Sequence, residues 1–297
     1  MPSKDSIVAV LVTYNRPVLF KKSIDALLKQ NLPLKKIIVI DNASDIPVKK
    51  LIDKNKFIDI HTLSKNFGGS AGYAKGITKA LKENPTWIWL MDDDAYPKKN
   101  TLKKLIEVKE KFPKNIKIGA LCSCVYEGGK IANYHQKKYN WNFGTTKMVN
   151  LNSNNKDYTE VDICSFVGLL LNVETVKKVG LPIKDFFICH DDMEYSLRMK
   201  SYKYSLFLVP SSKIHHSYKL KPTIKDNFGK RHYYEIRNHI FVTKKYSRFK
   251  ILSVILSITR SLRILRLAKK RDFIYCLKIY FKALNDGLMV NKFLIKF

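Results

Sequence analysis

Three consecutive aspartates, Asp92 to Asp94, directly follow the apolar run 87–91. Adjacent carboxylates repel one another unless water or a cation neutralises them, and a hard divalent cation such as Mg²⁺ or Mn²⁺ is the usual neutraliser. Because alternate residues of an extended chain project to one side, Asp92 and Asp94 can share one ion while Asp93 points elsewhere. The triplet predicts a divalent-metal site that also holds a diphosphate, with a solvated acidic loop as the alternative.

The elements that must position these carboxylates can be predicted from the hydrophobic pattern. Apolar runs over residues 7–13, 36–40 and 87–91 predict strands, and the helical spacing of residues 18–29 predicts a helix between the first two. Apolar strands that alternate with amphipathic helices indicate a parallel sheet covered on both faces. Such sheets bind ligands beyond the carboxyl ends of their strands. The sequence therefore predicts an α/β fold whose site lies at the strand end that carries the aspartates.

Further along the chain the pattern predicts more strands and helices and one irregular stretch. A strand over 58–63 is followed by a glycine-rich turn over 66–72 that opens a helix. A strand over 118–125 is followed by the polar and aromatic residues 126–157, which predict loops and hairpins of no assigned role. Residues 186–198 predict a loop that leads into a helix, and they carry a second acidic cluster.

Composition limits the class of protein. The chain has 297 residues, 45% of them hydrophobic, which excludes wholesale disorder. Its net charge of +30 implies attraction to polyanions or to an anionic membrane surface. Five scattered cysteines without metal-site spacing predict free thiols in a reduced, intracellular protein. We expect no signal peptide and no transmembrane helix, because the apolar stretch 251–259 is much shorter than the ~20 residues that a span needs.

Four polar segments follow one another at the ends of the predicted strands. They are Val12-Thr13-Tyr14-Asn15-Arg16, Ile40-Asp41-Asn42-Ala43-Ser44, Asn66-Phe67-Gly68-Gly69-Ser70-Ala71-Gly72 and Met91-Asp92-Asp93-Asp94-Ala95. In order and spacing they resemble the inverting nucleotide-sugar transferases of glycosyltransferase family 2. Within that family the sequence looks most like bacterial galactofuranosyltransferases, and it also resembles rhamnosyltransferases. The resemblance implies the Rossmann-like GT-A fold, a mixed sheet flanked by helices, over residues 7–238.

The resemblance also implies which residues bind the nucleotide-sugar donor and the metal. Those that it assigns to the donor are Thr13, Asn15, Arg16, Asp41, Asn66, Gly68, Gly69, Asp92, Asp93 and Arg237. It implies Mn²⁺ or Mg²⁺ as cofactor, held by Asp92, Asp94 and His216, with His215 as the alternative third ligand. Glycines allow close backbone approach and a helix N-terminus favours negative charge, so the turn 66–72 suits a diphosphate.

Each of these assignments has a structural alternative. Thr13 and Asn15 can equally serve as helix caps, and the glycine turn can be an ordinary connection between a strand and a helix. A histidine at a strand end is often a hydrogen-bonded structural residue. Tyr233 and Tyr234, which precede the expected diphosphate ligand Arg237, suit buried packing.

The second acidic cluster is similar to the motif that carries the catalytic base of the family. The resemblance assigns the base to Asp192, with Asp191 as the alternative. Such a base removes the proton from the acceptor hydroxyl as this attacks the anomeric carbon, so no covalent nucleophile is needed. The alternative is an exposed acidic helix start that the helix dipole stabilises.

The predicted organisation is a catalytic domain followed by a basic tail. We expect nucleotide-sugar binding in 1–125, the acceptor side and the base in 126–240, and basic amphipathic helices in 241–297. The tail holds 14 Lys or Arg and 2 Asp or Glu, a net charge of 14 − 2 = +12. It predicts docking on an anionic membrane surface, with packing on the catalytic domain or on a second subunit as the alternative.

Taken together, the sequence predicts a metal-dependent inverting glycosyltransferase on the cytoplasmic face of the cell membrane. Its expected donor is UDP-galactofuranose, with dTDP-rhamnose as the alternative, and its expected acceptor is a lipid-linked glycan of bacterial cell-surface polysaccharide synthesis. A homo-oligomer is compatible with the sequence. The non-enzyme alternative, a basic nucleic-acid-binding protein, is disfavoured because no nucleic-acid-binding motif is recognisable.

Overall fold

The computed structural model describes residues 5–151, 157–217, 229–265 and 273–289. In these ranges the strands are β1 (Ile7–Thr13), β2 (Lys36–Asp41), β3 (Ile58–Thr62), β4 (Trp87–Asp92), β5 (Ala95–Pro97), β6 (Ile118–Glu127), β7 (Lys130–Ile131), β8 (Gln136–Tyr139), β9 (Thr146–Met148), β10 (Thr159–Val161), β11 (Ile163–Cys164), β12 (Leu169–Asn172) and β13 (Ser205–His216). The helices are α1 (Pro17–Leu28), α2 (Gly68–Leu81), α3 (Thr101–Lys109), α4 (Val173–Val179), α5 (Asp191–Ser201), α6 (Lys230–Tyr246), α7 (Lys250–Leu265) and α8 (Phe273–Met289).

The main sheet is mixed. Its strands follow the order β10-β13-β6-β12-β4-β1-β2-β3, with β5 beside β13 and β7 beside β6. Strands β1 to β4 pair in parallel, as the alternating strand and helix pattern predicts. Strand β12 runs antiparallel to both β4 and β6, which makes the sheet mixed and confirms the GT-A architecture that the resemblance implied.

The register of the parallel strands aligns their polar ends. Thr13 lies opposite Asp41, and Val12 lies opposite Asp92, so β1, β2 and β4 end at one edge of the sheet. Every residue of β1 is buried because α1 covers one face of the sheet and α2 covers the other. At Gly72 of α2 a Cβ atom would lie 2.6 Å from the Val12 side chain, so glycine permits the close packing of this helix on β1.

Residues 126–151 form the hairpins that the polar pattern predicts. Strand β6 extends to Glu127 and turns into β7, and β8 pairs with β9 and β11 in a separate three-stranded sheet. Residues 152–156 of the predicted loop region lie outside the described residues. None of the five cysteines, all of which lie in the described residues, forms a disulfide bond in this structure.

The C-terminal helices pack on the catalytic fold through α6. The predicted division after residue 240 falls inside α6, which continues to Tyr246, and α8 packs on this helix through Cys276, Tyr280 and Ala283. Residues 266–271, which carry four of the basic residues of the predicted tail, lie outside the described ranges. Among the helices that the structure describes, none has the length and apolar character to cross a bilayer.

Candidate active site

The three aspartates at the end of β4 point in different directions. Asp93 turns towards β1, where it accepts hydrogen bonds from Thr13 Oγ1 (2.7 Å) and Arg16 Nη1 (3.1 Å). Asp92 accepts a hydrogen bond from the hydroxyl of Tyr73 on α2. Asp92 and Asp93 therefore contact different elements, while Asp93 and Asp94 share Arg16.

Asp94 contacts both Arg16 and a histidine from β13. We call Asp92, Asp93 and Asp94, at the end of β4, the acidic edge. Its two oxygens lie 2.6 Å from Arg16 Nη1 and 3.0 Å from His216 Nε2. His216 reaches this position because β13 pairs with β5 and sets His216 opposite Ala95. The neighbouring His215 points to the other face and stacks on Tyr96, since side chains alternate along a strand.

Ligand atoms of Asp92, Asp94 and His216 lie within 4.8 Å of one another. Carboxylate oxygens and an imidazole nitrogen form a donor set that Mn²⁺ accepts, and carboxylates also suit Mg²⁺. The three predicted metal ligands are thus brought together, and their chemistry fits a divalent cation.

The pKa values at this edge reflect carboxylates that are buried close together. Burial raises the pKa of Asp93 to about 6, although the Arg16 charge opposes it. Burial and the charge of Asp94 raise the pKa of Asp92. Burial also acts to raise the pKa of Asp94, but its hydrogen bond to His216 outweighs this and lowers the pKa. A bound cation would relieve the repulsion within this group.

A further carboxylate, which could not be identified from the sequence, contacts the ring nitrogen of His216 that faces away from Asp94. Glu127, the last residue of β6, has Oε1 2.7 Å from His216 Nδ1 and 3.4 Å from His135 Nε2, and it also accepts a hydrogen bond from the Tyr134 hydroxyl. These residues lie in or beside the stretch 126–157, whose polar pattern carries no periodicity from which their position could be predicted.

The loops after β1 and β2, which carry several of the predicted donor residues, contact each other and line a cavity. Asn15, at φ 53°, donates its side-chain amide to Asp45 Oδ2 (3.1 Å), and its backbone amide to Ser44 Oγ (3.0 Å). Asp41 is buried, and its oxygens accept the backbone amides of Ser44 (2.9 Å) and Val48 (3.2 Å). The predicted donor residue Asp41 therefore shapes the loop, while Asn15 and Arg16 line an open cavity with Pro17, Ser44, Asp45, Ile46, Val48 and Leu51.

The glycine turn 66–72 packs tightly against the backbone of Phe187, in the segment that precedes α5. Gly68 has φ +85°, and a Cβ atom there would collide with the backbone of Phe187. The carbonyl of Phe187 accepts the backbone amide of Ser70 (3.2 Å), while Asn66 Oδ1 accepts the amide of Gly68 (2.8 Å) and Gly69 lies beside the same carbonyl. The sequence interpretation explained these glycines by a diphosphate, whereas at Gly68 the close neighbour is the segment that precedes α5.

The two candidate catalytic aspartates open α5 after a strained segment. Phe187, Cys189 and His190 all have positive φ, which non-glycine residues rarely adopt. Burial and the charge of Asp192 raise the pKa of Asp191 to about 8, and the charge of Asp92 on β4 adds to this rise. The charge of Asp92, a candidate metal ligand, therefore acts on a residue of the candidate catalytic pair.

Asp192 has a cationic neighbour that the sequence did not indicate. Burial raises the pKa of Asp192, and the positive charge of Lys137 on β8 opposes the rise. Lys137 is itself partly buried, and this burial lowers its pKa. Asp192 Oδ1 also accepts the backbone amide of Met193 (2.7 Å).

Helix α6 fixes the strained segment. Asn238 donates to the carbonyls of Phe186 (3.0 Å), Ile188 (3.0 Å) and Cys189 (2.8 Å). Arg237 donates to the carbonyl of Asp185 (2.6 Å), so its guanidinium contacts this loop. The resemblance predicts Arg237 to lie near the diphosphate and gives no role to Asn238. In the structure both side chains donate hydrogen bonds to carbonyls of the segment 185–189.

The chain is similar to known glycosyltransferases in sequence. A family model described as Glycosyl transferase family 2 matches residues 8–179. The galactofuranosyltransferase GlfT1 of Mycolicibacterium smegmatis is 27% identical over 201 residues, which cover 67% of this chain and 67% of the relative. The dTDP-rhamnosyl transferase RfbF of Shigella flexneri is 26% identical over 298 residues and 95% of each chain.

The fold is shared with solved structures of much lower sequence identity. A crystal structure of GalNAc-T7 with UDP, GalNAc and Mn²⁺ has a TM-score of 0.68 and 15% identity, and the match covers 95% of this chain and 54% of that one. The chain thus spans about half of that protein and about two thirds of GlfT1. Because the family model matches more than half of these 297 residues and the GT-A fold agrees with it, the chain is a glycosyltransferase and belongs to glycosyl transferase family 2.

Proposed function

We propose that this glycosyltransferase moves galactofuranose from UDP-galactofuranose to a hydroxyl of a lipid-linked glycan, with inversion at the anomeric carbon. The acceptor would be an intermediate of bacterial cell-surface polysaccharide synthesis. Support for the donor comes from the similarity to GlfT1. The enzyme would work on the cytoplasmic face of the membrane, where its basic C-terminal helices meet anionic lipid.

The observation that carries the proposal is the cluster of possible metal ligands at one edge of the sheet. Asp92, Asp94 and His216 present ligand atoms within 4.8 Å of one another. A divalent cation bound there would stabilise the negative charge of the departing diphosphate. The Mn²⁺ in the GalNAc-T7 structure supports the choice of cation.

The chemical step uses a single carboxylate of this chain as base. Asp192 would take the proton of the acceptor hydroxyl while its oxygen bonds to the anomeric carbon and the bond from that carbon to the diphosphate breaks. Asp191, with its pKa near 8, would be protonated at neutral pH and donate a hydrogen bond. Arg16, whose side chain is 51% exposed, supplies a cation for the diphosphate.

A second candidate donor is dTDP-rhamnose. The observation in its favour is that the similarity to RfbF extends over 95% of this chain, whereas the similarity to GlfT1 covers 67%. Both donors carry a diphosphate that a cation at the same acidic edge would bind, so the two candidates differ in the nucleoside and in the transferred sugar.

The test is a donor panel on the full chain. We would measure the thermal midpoint with Mn²⁺ and UDP-galactofuranose, dTDP-rhamnose or UDP-galactose, since a ligand at 100 times its Kd stabilises by about 2.7 kcal/mol. Stabilisation and hydrolysis confined to UDP-galactofuranose support the proposal, and the same result for dTDP-rhamnose supports the second candidate. The Asp94→Ala variant should lose the response to every donor. A response in Asp94→Ala equal to the wild type would refute the metal site.

A further inference from the structure

Helix α7 turns its small polar side chains towards the protein. Ser253, Ser257 and Ser261, four residues apart, are buried. Ser257 Oγ lies 2.9 Å from Thr243 Oγ1 of α6, and Ser261 Oγ lies 3.1 Å from the Tyr280 hydroxyl of α8. The fully buried side chains of α7 are therefore serines, and Ile258 packs beside them on the apolar cluster of α6 and α8.

The opposite face of α7 carries its large aliphatic side chains. Those exposed to solvent are Ile251, Leu252, Ile255, Leu256 and Leu262, with Ile251 at 81%. A helix that packs on a globular protein in water normally buries such side chains and exposes its polar ones. The polarity of α7 is thus reversed, which is the arrangement expected of a helix with an apolar medium on its outer side.

Helix α8 extends the same kind of surface. Its inner residues Cys276, Tyr280 and Ala283 pack on α6, while Ile274 and Phe281, seven residues apart, are exposed at 73% and 60%. We call the exposed apolar side chains of α7 and α8 the outer face. Two adjoining helices therefore present large apolar side chains away from the catalytic fold.

The charges around the outer face have a single sign. Apart from Arg260, which faces a cavity on the inner side of α7, the exposed charged residues of 248–263 and 273–282 are Arg248, Lys250, Arg263, Lys278 and Lys282. A second copy of this chain in a twofold interface would bring these cations against their own counterparts, with repulsion as the result. An anionic lipid surface instead complements the cations with phosphates and the aliphatic side chains with acyl chains.

We infer that the outer face of α7 and α8 inserts into the interface of an anionic bilayer, with its cations at the level of the lipid phosphates. The inference rests on the proposed function in one respect, the lipid-linked acceptor. Arg260 of α7 lines a small cavity together with His190 and His239, directly before the Asp191–Asp192 pair. Docking through α7 would hold the catalytic domain at the membrane surface, where such an acceptor presents its sugar.

The experiment is co-sedimentation of the full chain with vesicles of phosphatidylcholine and phosphatidylglycerol, without donor or acceptor. The Ile251→Glu/Ile255→Glu double variant should bind at least ~10-fold more weakly than the wild type, because charged side chains on this face oppose insertion. The matched control is Leu28→Glu/Phe57→Glu, which changes two exposed apolar residues of the N-terminal half of the chain and should bind like the wild type. Thermal midpoints of all three proteins establish that they are folded.

Three results would overturn the inference. In the first, the wild type does not bind anionic vesicles. In the second, the wild type and the α7 variant bind anionic vesicles equally well. In the third, the wild type binds vesicles of phosphatidylcholine alone as well as it binds anionic vesicles. Light scattering adds a fourth, a wild-type dimer that the α7 variant converts to a monomer, which would assign the outer face to a second copy. Because the assay contains no sugar donor, its failure leaves the donor assignment standing, and failure of the donor panel leaves the docking result standing.

Discussion

The Nδ1 atom of His216 donates a 2.7 Å hydrogen bond to Oε1 of Glu127, which turns Nε2 of the same ring towards Asp94. A metal-bound histidine is commonly oriented in this way by a carboxylate on its second nitrogen. Glu127 thereby acts on the predicted metal site through His216, without belonging to the ligand set.

We predict that Glu127→Ala weakens Mn²⁺ binding by about 10- to 100-fold, the effect typical of losing such a partner. Mn²⁺ titration followed by electron paramagnetic resonance, in the absence of donor, measures this directly. Glu127→Gln, which keeps an acceptor oxygen, should weaken binding less, and Glu110→Gln at an exposed position should leave it unchanged. Unchanged Mn²⁺ affinity in Glu127→Ala would show that His216 needs no support from this carboxylate.

Asp192→Asn should lower kcat by about 10²-fold or more while donor binding persists, because a positioned base is removed and the shape of the side chain is kept. Steady-state kinetics with a fixed acceptor and a donor-binding assay separate the two effects. Asp191→Asn is the matched comparison, since an amide can still donate a hydrogen bond. If Asp191→Asn abolishes turnover and Asp192→Asn does not, the base is Asp191.

The pH dependence of activity should respond to Lys137. A base must be deprotonated, so activity falls as pH drops through its pKa, and burial places the pKa of Asp192 above the ordinary aspartate value. The charge of Lys137 restrains that rise. Lys137→Met should therefore move the acidic limb of the kcat/KM profile to higher pH. The adjacent exposed Lys138→Met is the control, and an unshifted limb in Lys137→Met would separate Lys137 from the base.

Glu194 should be important for stability. It is fully buried and accepts from Arg198 (2.5 Å), Lys245 (2.9 Å) and the Tyr246 hydroxyl (2.7 Å), which tie α5 to α6. Glu194→Ala would leave the buried Arg198 uncompensated and should cost about 3–5 kcal/mol in the free energy of unfolding. Urea unfolding measures this, with the exposed Glu174→Ala as control. A cost below 1 kcal/mol, about that of a surface pair, would contradict the prediction.

The same carboxylate should make stability depend on pH. Burial acts to raise the pKa of Glu194, but Arg198 and Lys245 outweigh it, so the folded pKa lies below the ordinary value. Its contribution is thus complete above the unfolded pKa and is lost as pH falls through the folded one. In Glu194→Ala this acid-side loss should be smaller than in the wild type, and an unchanged slope would assign the loss to other carboxylates.

The parts of the site that lie on regular elements could be predicted from the sequence. Asp92 ends β4 and the other two aspartates follow it, so the apolar run places all three. Alternation predicts that His215 and His216 point to opposite faces, and the pairing of β13 with β5 decides which of them faces the aspartates. Glu127 could not be predicted, because its distance from His216 depends on the pairing of β6 with β13. The direction of β12 is likewise set by its neighbours rather than by its own residues.

Composition predicted the helices of the C-terminal tail but not their orientation. Its charge and spacing predicted basic amphipathic helices, and α7 and α8 are helices. Which face of α7 points outward could not be predicted, because the serines and the aliphatic face are equally periodic. Only the hydrogen bonds of Ser257 and Ser261 to neighbouring helices settle the orientation.

The contact between Gly68 and the Phe187 backbone joins the proposed donor half of the enzyme to its proposed acceptor half. A change in the glycine turn when the donor arrives must be accommodated by the segment 185–190, which α6 already restrains through Asn238. The two substrates should therefore bind with cooperativity, and by linkage the factor by which the donor changes acceptor affinity equals the factor by which the acceptor changes donor affinity.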